Sequence, residues 1–147
     1  MKIANIQAVA PALRKLRSRG VWEYAEKWEC RVQLKSEGVL LFKISPGYWT
    51  DLASVPKALR GAFDNGSSEF GVLIASQVHD FLYSTHYVSK EFSDDLFRRV
   101  LRFYGMGSCK ANLYYYAVRL FGGDAWNGNE DDIEFDRKFC AFEWLDR

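Results

Sequence analysis

The chain has 147 residues, of which 48% are hydrophobic, 27% charged and 16% aromatic, and its formal net charge at pH 7 is +1. This length and composition fit a single globular domain over residues 1–147 and argue against a disordered chain. No apolar run approaches the ~20 residues that cross a bilayer, and the N-terminus lacks the apolar core of a signal peptide, so neither a membrane span nor a cleaved leader is expected.

The charges are distributed unevenly along the chain. Residues 1–60 carry eleven Lys/Arg and five Asp/Glu, whereas residues 124–147 carry three Lys/Arg and eight Asp/Glu. The basic front and the acidic C-terminal extension can pair within the fold or between copies in an assembly. A basic cluster at residues 14–19 has no recognised nucleic-acid motif beside it, so a solvated basic turn is preferred over nucleic-acid binding.

The three cysteines lie far apart in the sequence, at positions 30, 109 and 140. An odd count without any C-x-x-C pair argues against a disulfide framework and against a cysteine zinc site. Buried, reduced thiols are expected, and they suit a reducing compartment such as the cytoplasm.

The front part of the chain has the texture of strands. In the first 20 residues the apolar spacing suits a helix, but Pro11 interrupts it. From Val21 to Ile44 the apolar residues recur mostly at every second position, which is typical of strands with one buried face. A turn at residues 36–38 divides this segment into two strands, and Ser45-Pro46-Gly47 ends the second strand. A small antiparallel sheet is therefore predicted.

The rest of the chain has helical periodicity. Helices are predicted near residues 69–84 and 90–104, and a third has Ser108 as its candidate N-cap and is ended by Gly122-Gly123. Three phenylalanines at positions 135, 139 and 142 suggest a short C-terminal helix. The three consecutive tyrosines at 114–116 cannot all face inward, so at least one ring should be exposed or in an interface. The predicted class is α+β, with a small N-terminal antiparallel β-sheet packed on a C-terminal group of three to four helices.

His79 and Asp80 lie inside the most apolar predicted helix, where such a pair must be satisfied to be tolerated. His79 and Tyr83 are four residues apart and share a helix face, while Asp80 flanks that face. If the next helix packs antiparallel, Asp94 or Asp95 can lie opposite His79.

Three interpretations of these residues stay open. A carboxylate can orient one ring nitrogen of His79 while the other takes a proton from water, with Asp80 holding a hard cation. Alternatively, His79, Asp80 and Asp51 can ligate a transition metal. In the third interpretation, the same side chains form a buried hydrogen-bonded network that joins two helices. Asp51 enters because it lies in the segment that connects sheet and helices, where it is also a good turn former.

The sequence resembles an uncharacterised family of tailed bacteriophages and prophages, the domain of unknown function one-three-five-three. The matching motifs are Thr50-Asp51-Leu52-Ala53-Ser54-Val55-Pro56, His79-Asp80-Phe81-Leu82-Tyr83 and Ser93-Asp94-Asp95-Leu96-Phe97. The resemblance covers roughly residues 20–126 and leaves residues 127–147 as an acidic extension. It implies a phage context, in the virion or the host cytoplasm, and supplies no settled activity.

A second resemblance concerns the two central helices alone. His79-Asp80-x-x-Tyr83 followed by Asp94-x-x-Phe97 is similar to the helix pair of calcium-dependent phospholipases of the secreted type, and most of all to the reduced version in parvovirus capsids. It implies His79 as the base that activates water, Asp80 as a calcium ligand, and Tyr83 and Asp94 as residues that orient His79. It also favours Asp94 over Asp95. The glycine-rich calcium loop of those enzymes is not matched by residues 63–68.

Three functions follow from these patterns. The missing calcium loop places a non-enzymatic virion or assembly component first, with contacts to other phage structural proteins or to itself. The second is a metal-dependent, phospholipase-like hydrolase with a membrane-lipid substrate, acting in entry or lysis. The third is an intracellular effector that binds a host protein. His79, Asp80, Tyr83, Asp94 and Asp51 are the predicted site residues, and Asp80 is the candidate calcium ligand.

Overall fold

The computed structural model describes residues 1–16, 21–50 and 69–145 and has an α+β fold, as predicted. The chain divides into two compact units. One contains residues 1–51 and 134–147, and the other contains residues 52–133.

The first unit contains the β-structure. The strands of the described residues are β1 Ile3–Ala8, β2 Leu13–Leu16, β3 Val21–Tyr24, β4 Trp28–Leu34, β5 Gly38–Ile44, β6 Trp49–Thr50 and β7 Cys140–Leu145. They form a four-stranded sheet in the order β1-β4-β5-β7 and a three-stranded sheet in the order β2-β3-β6. All pairings are antiparallel. The predicted β-region therefore forms two sheets rather than one.

The alternation in β4 decides which face of the four-stranded sheet is buried. Every second residue from Trp28 to Leu34 is buried and the residues between them are exposed. The hairpin to β5 closes at Gly38, whose φ of 97° lies in the left-handed region that favours glycine. The turn predicted at residues 36–38 is thus confirmed.

The N-terminal segment is extended, so the spacing that suited a helix has another cause. The pairing of β1 with β4 shifts by one residue between Ile3 and Asn5. This irregularity lets Ile3 and Ile6, three residues apart, lie opposite Leu34 and Val32, which share one face of β4. A bulge therefore produces the three-residue spacing that resembles a helical period.

The predicted C-terminal helix is wrong for its second half. The helix ends at Arg137, and the chain then enters β7. Phe142 lies opposite Phe42 on β5, with 5.3 Å between the ring centroids. The period-two series Cys140, Phe142 and Trp144 competes with the helical spacing of the phenylalanines, and pairing with β5 decides in favour of the strand.

The second unit contains four helices of the described chain, α1 Glu69–Thr85, α2 Lys90–Phe103, α3 Ser108–Phe121 and α4 Gly123–Gly128, and a 3-10 turn at Glu130–Asp132. The short α5 Ile133–Arg137 follows, belongs almost entirely to the first unit and leads to β7. The first three agree with the sequence prediction to within one residue. Among the described residues, no helix is long and apolar enough to cross a membrane.

The three consecutive tyrosines and the three cysteines differ in their exposure to solvent. Tyr114 is buried, Tyr115 is half-buried and Tyr116 is exposed, which confirms that the three rings do not share one environment. All three cysteines are free thiols, but only Cys30 and Cys140 are buried, while Cys109 is exposed. The expectation that all three are buried is therefore wrong for Cys109, which lies in the first turn of α3 on its solvent face.

Candidate functional site

The two helices that carry the His-Asp motifs pack against each other because the chain reverses over residues 86–89. His86 has a φ of 50°, an unusual left-handed conformation for a residue other than glycine. Ser89 then caps α2, and its hydroxyl accepts a hydrogen bond from the Phe92 amide. This short connection places the end of α1 beside the start of α2.

His79, Tyr83 and Asp94 meet at the centre of this helix pair. The Nε2 atom of His79 lies 2.8 Å from Oδ1 of Asp94. The Tyr83 hydroxyl donates a hydrogen bond of 2.7 Å to the same oxygen. His79 is 2% exposed and Asp94 is fully buried. The structure thus brings three of the predicted site residues together, and Asp94, not Asp95, faces His79.

Lys90 completes the network and was not among the predicted residues. Its Nζ atom donates a hydrogen bond of 2.8 Å to Oδ2 of Asp94, which lies four residues further along α2. The same ammonium donates to the carbonyl oxygens of Val118 and Arg119, at 3.2 and 3.3 Å. These carbonyls lie in the last turn of α3, and the Val118 carbonyl oxygen also accepts a hydrogen bond of 2.9 Å from the Gly122 amide. Lys90 therefore ties α3 to the carboxylate between α1 and α2.

The electrostatics of the network favour an ionised Asp94 and a neutral His79. Burial alone would raise the pKa of Asp94, but the hydrogen bonds from His79, Lys90 and Tyr83 hold that pKa below its usual range. Burial lowers the pKa of His79 more strongly than the hydrogen bond and charge of Asp94 raise it. Burial, with the bond to Asp94, also raises the pKa of Tyr83, so its hydroxyl remains a donor.

The tautomer of His79 follows from its partner. An ionised carboxylate only accepts hydrogen bonds, so Nε2 must carry the proton that is shared with Asp94. In the neutral ring, Nδ1 is then an unprotonated acceptor. This atom is buried and has no hydrogen-bond partner among the residues that the structure describes. The rings of Tyr83 and Phe97 fix the imidazole, at centroid distances of 4.0 and 4.9 Å.

A second layer of contacts positions Tyr83. A Cβ atom at Gly122 would lie 2.6 Å from the Tyr83 hydroxyl and 2.3 Å from the Val118 carbonyl oxygen, so only glycine fits there. The Trp126 ring stands edge-on to Tyr83 at 5.2 Å. Trp126 in turn stacks on His86 at 3.6 Å, with the rings 5° from parallel. These contacts hold the phenol against Asp94.

The remaining predicted residues lie apart from this network or outside the described chain. Asp95 binds Arg98 and Arg99 at 2.6 and 2.7 Å on the outer side of α2. Asp80 is half-buried on α1, next to His79 in sequence. Asp51 lies outside the described residues.

The described residues do not fit the calcium ion that the phospholipase resemblance implies. Calcium takes about six to eight oxygen ligands, usually with several carboxylates. In residues 1–16, 21–50 and 69–145, no three His, Cys, Asp or Glu side chains come together as such a site requires, and Asp80 is in no such group.

The lowered pKa of His79 predicts a defined loss of stability on acidification. The unfolded chain protonates this histidine near pH 6.5, while the folded chain keeps it neutral to a lower pH. Between those values the unfolded state binds more protons, so the free energy of unfolding falls with decreasing pH by up to ~1.4 kcal/mol per pH unit. We expect urea denaturation from pH 7 to pH 5 to show this decline.

A variant without this histidine supplies the control for that measurement. His79→Asn should flatten the decline, because the group that takes up the proton is then absent. An unchanged slope in His79→Asn would show that another group causes the acid sensitivity.

Comparison with known proteins places the chain in a family. A family model described as "Protein of unknown function (DUF1353)" matches residues 22–118. Searches of curated proteins and of solved structures found no match. The matched range includes His79, Tyr83, Lys90 and Asp94, and stops before Gly122. Since the match covers well over half of the chain, the protein belongs to the DUF1353 family.

Proposed function

We propose that this chain is a bacteriophage hydrolase in which His79 acts as the general base. The observation that carries the proposal is the Nδ1 atom of His79, which is buried and lacks a hydrogen-bond partner among the described residues. The phage context rests on the motifs at residues 50–56, 79–83 and 93–97.

An unpartnered ring nitrogen is what a general base requires and what a purely structural histidine does not need. Asp94 already accepts hydrogen bonds from His79, Tyr83 and Lys90, so the network that joins the helices is complete without Nδ1. Leaving a buried acceptor unpaired costs about 1–3 kcal/mol. Such atoms in native proteins often have a catalytic reason. The burial of His79 agrees with this, because burial keeps the imidazole neutral and able to take a proton.

The proposal comprises one chemical step, for which a water molecule must reach the buried Nδ1 atom. Asp94 holds the Nε2 proton, so the Nδ1 lone pair accepts a proton from water as the water oxygen bonds to the carbonyl carbon of an ester. The ester C–O bond then breaks, and the proton on Nδ1 passes to the leaving alkoxide. Asp94 stabilises the imidazolium that exists between these two transfers. Lipid esters are the proposed substrate class, since the same arrangement of His, Asp and Tyr is implied by the phospholipase resemblance.

Hydrolysis of vesicles and of a small chromogenic ester tests the proposal. Phosphatidylglycerol–phosphatidylcholine vesicles and a nitrophenyl ester, each with and without calcium, should release product with the wild type. His79→Asn should lose at least ~100-fold in rate. The rate should rise with pH around a midpoint below 6.5, because the pKa of His79 is lowered.

Asp95→Asn is the matched control and should retain the rate, since Asp95 binds Arg98 and Arg99 instead of the network. Thermal melts of every variant separate lost chemistry from lost folding. If the wild type hydrolyses neither substrate, or if folded His79→Asn keeps the wild-type rate, the base role of His79 is wrong.

A second function, a non-enzymatic virion or assembly component, is favoured by a different observation. His79 is 2% exposed and Asp94 is fully buried. Lys90 links the Asp94 carboxylate to the end of α3. A purely structural role, holding three helices together, is sufficient to explain a network of this kind. A component of the particle should sediment with purified virions in a fixed copy number, and folded His79→Asn should then assemble normally.

A further inference from the structure

The solvent face of α3 carries an apolar stripe, which we define as Leu113, Tyr116 and Leu120. These residues follow the i, i+3, i+7 spacing of one helix face. Their exposed fractions are 52%, 55% and 71%. The opposite face of the same helix is buried through Ala111, Tyr114 and Val118. The helix is therefore apolar on two faces, and only one of them is buried among the residues that the structure describes.

We propose that the apolar stripe is the contact face of a homodimer, in which α3 packs antiparallel against α3 of a second copy. The stripe is nearly symmetric about Tyr116, with one leucine three residues before it and the other four residues after it. In an antiparallel pair, Leu113 of one copy therefore lies opposite Leu120 of the other, and this contact occurs twice. The two Tyr116 rings meet at the two-fold axis. A surface that matches itself in this way is what an isologous dimer requires.

The charges at the two ends of the stripe make it complementary to itself. Lys110 lies three residues before Leu113, and Asp124 lies four residues after Leu120. Asp124 lies in the first turn of α4, directly after the end of α3, so an antiparallel pair brings Lys110 of each copy towards the end of the partner's stripe that Asp124 follows. Neither side chain forms an ion pair with another residue of the described chain, whereas Arg119 is already paired with Glu91 at 3.3 Å. Opposite charges at both ends would fix the direction and the register of the pair.

This inference does not depend on the proposed hydrolase. None of its residues belongs to the His79 network, and association can be measured without a substrate.

Sedimentation velocity over a concentration series tests the dimer with the whole chain. The wild type should sediment as a dimer that dissociates on dilution. Leu120→Asp should be monomeric, since a carboxylate would be buried against Leu113 of the second copy. Val9→Asp is the matched control, because Val9 is 69% exposed but lies in the first unit. It should sediment as the wild type does.

Charge exchange tests the direction of the pair. Lys110→Asp should weaken the dimer at least about tenfold by placing two carboxylates together. Adding Asp124→Lys should restore the wild-type dissociation constant. Tyr116→Cys with Cys109→Ser should give a disulfide-linked dimer on mild oxidation, while Val9→Cys with Cys109→Ser should not.

A wild type that stays monomeric at its highest soluble concentration would overturn the proposal. A dimer that survives Leu120→Asp would show that another surface associates, and a charge exchange without rescue would reject the antiparallel register. An oligomer larger than a dimer that Leu120→Asp dissolves would replace the two-fold contact by a head-to-tail one.

Discussion

Replacing Asp94 by asparagine is expected to lower the free energy of unfolding by about 3 kcal/mol, the largest effect of any single substitution considered for this protein. Asp94 is fully buried and accepts three hydrogen bonds, from His79, Tyr83 and Lys90. An amide removes the charge that offsets the Lys90 ammonium, and its NH₂ group faces donors. Removing one partner of a buried ion pair costs about 3–5 kcal/mol. The lower end applies, because the Lys90 side chain is 15% exposed and can partly recover water.

The neighbouring aspartate provides a matched control for this measurement. Asp95→Asn makes the same chemical change one residue further along α2, where the carboxylate is 24% exposed and binds two surface arginines. Exposed ion pairs contribute little, so its free energy of unfolding should change by no more than about 1 kcal/mol. Equal losses in the two variants would show that the buried network does not stabilise the helices.

The free energy of unfolding should also depend differently on pH in the wild type and in Asp94→Asn. Because the pKa of Asp94 lies below its ordinary value of 3.8, its stabilising contribution is complete above that pH and is lost as the pH falls further. The difference between wild type and Asp94→Asn should therefore be constant near neutrality and shrink below about pH 4. Urea denaturation at several pH values measures this directly.

Gly122→Ala is expected to lower the free energy of unfolding by about 1–3 kcal/mol. The added methyl would lie 2.3 Å from the Val118 carbonyl oxygen and 2.6 Å from the Tyr83 hydroxyl. A backbone oxygen cannot move aside as the end of a flexible side chain does, so the end of α3 must shift. That carbonyl also accepts from Lys90, and the hydroxyl donates to Asp94. One methyl group therefore disturbs two arms of the network.

Gly123 is the ideal comparison because it is the next residue and has the opposite surroundings. A Cβ atom there meets nothing within 4 Å. Gly123→Ala should leave stability unchanged or raise it by up to about 1 kcal/mol, since alanine restricts the unfolded chain. Thermal and urea unfolding of both variants decide the matter. If Gly123→Ala loses as much as Gly122→Ala, the steric explanation is wrong.

The sequence carried enough information to bring His79, Tyr83 and Asp94 together. A helix repeats every ~3.6 residues, which puts His79 and Tyr83 on one face. The short connection to the next helix then leaves Asp94 or Asp95 opposite them. Choosing between these two needed the phase of α2 to within one residue, and periodicity alone is too coarse for that. The match of Asp94-x-x-Phe97 to the phospholipase helix pair implies Asp94, and in the structure Phe97 packs on the His79 ring.

Lys90 and Gly122 illustrate what the sequence did not reveal. Lys90 stands four residues before Asp94, an ordinary surface pairing on a helix, and nothing local shows that α3 ends beside it. Gly122 was interpreted as a helix terminator, which it is, but its contact with Tyr83 joins residues 39 positions apart in sequence. Long-range contacts of this kind depend on the packing of three helices and leave no periodic signal.

Long-range contacts also explain the two segments, β1 and β7, where the sequence favoured a helix and the structure has a strand. The extra residue in β1 disturbs the period of two, and β7 is selected by its partner β5 rather than by its own propensity. In both cases a pairing between distant segments overrides the local pattern.

The pairing of β5 with β7 also has a consequence for the order in which the protein is made. Ile44 pairs with Cys140, so the fourth strand of the larger sheet leaves the ribosome only after all the helices. The contacts between α1 and α2 are close in sequence and can form early during synthesis. Until β7 arrives, β5 presents an open row of backbone donors and acceptors, the kind of edge on which chains aggregate. During synthesis the helices can therefore be folded while the edge of β5 is still unpaired and open to aggregation.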